Sequence, residues 1–80
     1  MSPEKMVHMA NQIALFFKSK PHDEGVIGVA EHINKFWEPR MRAQLFAHLE
    51  AGGAGLSQLV RDAAPKIRPV PTPAMRNEAV

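Results

Sequence analysis

Four histidines, His8, His22, His32 and His48, are the residues most able to hold a metal. No two of them stand at the i, i+4 spacing that puts two ligands on one helix face. His32 and His48 could meet only if the second and third helices packed antiparallel, and no other feature of the sequence requires that. Each histidine is therefore expected to have a packing or surface role. There is no cysteine, so thiolate metal sites, thiol nucleophiles and disulfides are excluded. Ser2, Ser19 and Ser57 fall where serines cap helices or join them. Asp23-Glu24 is the only carboxylate pair, and it suits the positive end of a helix. Gly52-Gly53-Ala54-Gly55 precedes a helix as a phosphate cradle would. Leu56-Ser57 follows it where a Walker loop needs Lys-Ser/Thr, so a cap and turn are expected. Arg40, Arg42, Gln44 and His48 could line a DNA-reading helix. A net charge of +2, with ten basic against eight acidic residues, offers little further support for phosphates.

The densest cluster is Phe36-Trp37-Glu38-Pro39-Arg40-Met41-Arg42. Phe36, Trp37 and Met41 have a plain structural use at the corner between two helices. Trp and Arg are also the types that anchor protein interfaces, and Met suits adaptable grooves. The chain has 80 residues, and one of that size buries only about 60% of its unfolded surface. With no disulfide to staple it, association is the remaining source of stability. A small core cannot take in all the large aromatic groups, which favours an interface.

The elements that must place these residues read as helices. The first runs from about Ser2 to Lys18. Ser2 caps it, Pro3 and Glu4 suit its first turn, and Met6, Met9, Ala10, Ile13, Phe16 and Phe17 form its apolar face. Pro21 stops it. The second starts near His22 or Asp23, with Asp23 as cap, and ends at Trp37 or Glu38. Its stripe is Val26, Val29, Ala30, Ile33, Phe36 and Trp37, while Gly25 and Gly28 allow close approach of another backbone. The third runs from Pro39 to about Ala51, with Met41, Leu45, Phe46, His48 and Leu49 on its apolar side, and ends in the glycine turn. A short fourth spans Ser57 to about Ala64, using Leu59, Val60 and Ala63, and Pro65 ends or kinks it. The expected fold is all-α: a small bundle of three main helices plus a short fourth over residues 1–68. Residues 69–80, rich in proline, are expected to be an extended or disordered tail. No run reaches the length of a membrane span and the first residues lack signal-peptide order, so a cytoplasmic location is expected.

Met9-Ala10-Asn11-Gln12-Ile13, Phe16-Phe17, His32-Ile33 and the 36–42 string resemble the small delta subunit of NAD-dependent, molybdenum-containing formate dehydrogenase. So do Leu45, His48-Leu49, Gly52-Gly53, Gly55-Leu56 and Leu59-Val60. The resemblance covers about Met9 to Ala63, and nothing is carried onto the Pro-rich end. It implies a non-catalytic accessory subunit of a soluble bacterial complex that oxidises formate to carbon dioxide and reduces NAD. It implies that the molybdenum bis-pterin, iron–sulfur clusters and FMN belong to larger partner subunits, with no cofactor, metal or catalytic residue in this chain. Its partner would be the molybdenum-carrying alpha subunit, which it would help to assemble, mature or remain stable. Combined with the residue types, the expected partner-binding set is Phe36, Trp37, Arg40, Met41, Arg42, His48, Gly52 and Gly53. Neither nucleic acid nor membrane is expected as a partner. A free-standing helical regulator or DNA-binding protein is the alternative function, and self-pairing of the isolated chain is another way to cover its docking face.

Overall fold

A computed structural model describes residues 1–70. The described residues contain α1 (Pro3–Phe17), α2 (His22–Phe36), α3 (Pro39–Glu50) and α4 (Gln58–Ala63), then a 3₁₀ turn at Ala64–Lys66. They hold no strand, so the all-α expectation is met. Pro69 and Val70 have no regular structure, and the rest of the expected tail lies outside the described residues.

The starts of α1, α3 and α4 follow from single residues. Ser2 accepts a hydrogen bond from the Lys5 amide at 3.2 Å, and Pro3 occupies the first turn. Pro39 opens α3 behind an extended Glu38. Ser57 accepts from the Val60 amide at 3.4 Å to begin α4. The start of α2 departs from expectation. Its cap residue is Pro21, with no side-chain cap, and Asp23 lies one position inside the helix beside Glu24. The extended angles of Pro21 begin the helix at His22, so both carboxylates serve the dipole rather than the cap.

The core is built from Met6, Ala10 and Ala14 of α1 and Val26, Val29, Ala30 and Ile33 of α2. Trp37, Leu45, Leu56, Val60, Ala63 and Ile67 complete it. α1 packs against α2, α3 lies chiefly on α1, and α4 covers α2. Gly25 and Gly28 serve the tight α1–α2 contact. A Cβ at Gly25 would stand 3.2 Å from the Phe17 carbonyl oxygen, and the Phe17 ring lies over Gly28.

Two aromatic residues leave the faces assigned to them. Phe16 is 72% exposed and Phe36 is 64% exposed. Consecutive helical residues diverge by about 100°, so once Phe17 turns towards α2, Phe16 must turn away. At the other end, α2 finishes at Phe36, and Trp37 takes extended angles (φ −88°, ψ 132°) that bring its indole inward.

Candidate functional site

The cluster at 36–42 divides between the inside and the outside of the fold. Trp37 is only 6% exposed and belongs to the core, so it offers almost nothing to a partner directly. That corrects its expected place on a docking edge. Phe36 projects outward, with the His32 ring 4.7 Å away by centroid and the Lys35 ammonium 5.6 Å from its own ring centre. Arg40 is exposed, and Met41 is half-buried against the core. Arg42 turns inward: one terminal nitrogen donates to the Arg68 carbonyl at 2.9 Å, and its buried Nε has no partner. Its guanidinium is thus a strap between α3 and the segment after the 3₁₀ turn.

The glycine turn is held from within the chain as well. His48 sits 2.8 Å from the Ala54 carbonyl through Nε2, which must carry the proton because a carbonyl only accepts. The Gly53 amide donates to the His48 carbonyl at 2.8 Å, closing the end of α3. Gly52 and Gly53 adopt φ of +114° and +66°. Arg61 of α4 then gathers the turn from the other side. Its Nε donates to the Leu56 carbonyl, and its two terminal nitrogens donate to the Gly52 and Gly53 carbonyls. A Cβ at Gly53 would stand 3.0 Å from that guanidinium. Gly53→Ala therefore combines a left-handed backbone, costing about 1–2 kcal/mol for an L-residue, with displacement of Arg61. At about 4–8 °C per kcal/mol in a domain of this size, a thermal melt should fall by roughly 5–15 °C. An unchanged melting temperature would show that the turn relaxes freely.

Two asparagines that the sequence reading did not single out do equivalent work. Asn11 of α1 donates to the Gly55 carbonyl at 2.9 Å and accepts from the Ser57 amide at 2.9 Å. Asn34 of α2 donates to the Lys66 carbonyl at 3.2 Å and accepts from the Arg68 amide at 2.7 Å. Each side-chain amide donates to one backbone carbonyl and accepts from the amide two residues further on. A faint sequence signal exists for both, since Asn is a weak helix former placed mid-helix and so needs a use for its side chain.

Among the described residues no three His, Cys, Asp or Glu side chains converge as metal ligands. His32 stacks on Phe36, His48 bonds the turn, and His22 lies 3.2 Å from Asp62, which also accepts from Gln58 at 2.8 Å. What the surface does carry is apolar: Phe16, Phe36, Leu15 at 62% exposure and Ile27 at 47% all face outward.

Residues 5–64 match the family model described as NADH-dependant formate dehydrogenase delta subunit FdsD. The chain belongs to this family. No curated protein matches the sequence. The FdsD match includes every residue of the expected partner-binding set, and also Leu15, Phe16, Asn11, Asn34 and Arg61. It stops short of Lys66 and Arg68, whose backbone Asn34 and Arg42 hold. No helix among the described residues is long and apolar enough to cross a membrane.

Proposed function

We propose that this FdsD-family chain is a non-catalytic accessory subunit that binds the molybdenum-carrying catalytic subunit of formate dehydrogenase and supports its assembly, maturation or stability. The observation that carries this is the outward position of Leu15, Phe16 and Phe36, each more than 60% exposed, on a fold whose core is small. Exposed phenylalanines are of the residue types enriched where proteins meet. Of the docking edge expected from sequence, Phe36 and Arg40 are the exposed members and Met41 supports them from a half-buried position, while His48 and the Gly52-Gly53 turn lie at the opposite end of α3, about 15 Å away by helical rise. The molybdenum bis-pterin, iron–sulfur clusters and FMN are assigned to the partner subunits. A sequence without cysteine has no thiolate to offer an iron–sulfur cluster.

The test is a pull-down of the tagged chain from formate-grown cells of its own source, with co-eluting proteins identified by mass spectrometry. The catalytic subunit should elute in fixed ratio with it. Recovery of only the cofactor-free form would specify the maturation role. Recovery of neither form, from cells that contain active enzyme, would overturn the proposal.

A further inference from the structure

Where the end of α1 meets the starts of α2 and α4, two adjoining hollows of about 440 and 210 Å³ share Lys18 and Leu59 and form a continuous groove. Ala14, Leu15 and Phe17 of α1 and Leu59 of α4 supply its apolar lining, and Asn11, Gln12, Ser57, Gln58 and His22 its polar one. Lys18 and Lys20 stand on its rim, and no carboxylate lines either hollow. Lys18 and Lys20 make no ion pair among the described residues: Asp62 of α4 contacts Gln58 and His22, and Asp23 and Glu24 begin α2 just beyond His22. Leu15 is 62% exposed although it lines the groove, so the groove is shallow and open to a large occupant.

We infer that this groove receives an acidic amphipathic helix of the catalytic subunit, one that lays a large apolar side chain against Leu15 and Leu59 and sets carboxylates beside Lys18 and Lys20. The inference rests on the accessory-subunit function proposed above and adds a second contact to it. Charge complementarity selects the occupant. Apolar surface at Leu15 and Leu59 beside two lysines that make no ion pair among the described residues favours a partner that brings both an apolar group and negative charge. The walls select a helix, because the groove runs between helices and the described residues present no sheet edge for an added strand. The groove is also separate from the Phe36–Arg40 edge. His22 lines it, and Phe36 is at the opposite end of α2, about 20 Å away by helical rise.

The two contacts can be tested apart. The full chain would be titrated onto catalytic subunit purified from cells lacking the delta subunit. The variants are Leu15→Gln, Lys18→Glu with Lys20→Glu, and Arg40→Glu at the other edge. Leu15, Lys18 and Lys20 are all exposed, so these changes leave the core intact, and circular dichroism verifies the fold. Leu15→Gln and the double lysine reversal should each raise Kd by about tenfold or more. Wild-type binding should weaken as salt is raised, and the lysine reversal should remove most of that dependence. If wild type binds and either groove variant binds equally well, the groove inference is overturned while the accessory function stands. If wild type itself fails to bind, the accessory function fails and the groove inference fails with it.

Discussion

Trp37→Ala should unfold the chain. Truncating a buried aromatic residue to alanine costs about 3–5 kcal/mol. A domain below about 70–80 residues rarely has more than 3–5 kcal/mol of stability from a single core. Trp37 is 6% exposed, shares a core with Ile33 and Leu45, and stands where the chain turns from α2 towards α3. Far-ultraviolet circular dichroism at 25 °C should therefore lose most of its helical signal. Trp37→Phe keeps an aromatic group in the site and should remain folded with a lower urea midpoint. A fully helical Trp37→Ala would show that the indole is dispensable to the core. The result also governs how docking experiments are interpreted. Loss of complex formation in Trp37→Ala would report loss of fold, whereas the same loss in Arg40→Glu would report a surface.

Arg61→Ala should be strongly damaging for a residue outside the core. One guanidinium donates to the carbonyls of Gly52, Gly53 and Leu56, and it places a positive charge by the carbonyl end of α3. Hydrogen bonds to a charged group contribute about 1.5–3 kcal/mol each when sheltered. These are partly exposed and share one side chain, so a total of about 2–3 kcal/mol is expected. The urea midpoint should fall accordingly with little change in slope. Arg61→Lys should recover less than half of the loss, because an ammonium is a point charge and cannot fork across three acceptors. A lysine variant as stable as wild type would mean that charge alone holds the turn. A loss below about 0.5 kcal/mol in Arg61→Ala would mean that the glycine turn and His48 hold it unaided.

The helices were legible because their ends are chemically marked. Ser2-Pro3, Pro39, the Gly52-Gly53 pair and Ser57 each have one natural place relative to a helix, and the structure puts them there. Asp23 has the chemistry of a cap, but two neighbouring residues could each begin α2, and only the angles of Pro21 decide between them. The site was less legible. The density of Trp, Arg and Met at 36–42 is visible in the sequence, but residue type does not give direction. Phe36 and Trp37 are adjacent and of similar chemistry, yet one lies in water and the other in the core, because the helix stops between them. Arg42 looks like an interface residue and instead reaches the Arg68 carbonyl, 26 positions later. Asn11, Asn34 and Arg61 act through backbone groups brought close only by the fold, and their types carry no record of those partners.

The Asn11 contact joins residues 46 positions apart, and α4 is the element that covers α2. During synthesis the chain emerges N-terminus first, so α2 can pack on α1 at once, but the part of its apolar side that α4 covers stays open until the segment beyond Ser57 has left the ribosome. Closing so long a loop is entropically costly and comes late. Until then the uncovered part of that side is open to whatever binds nascent apolar surface. A ribosome that stalls or terminates within the glycine turn releases three helices with no fourth to cover α2, so the fold closes only once α4 has been made.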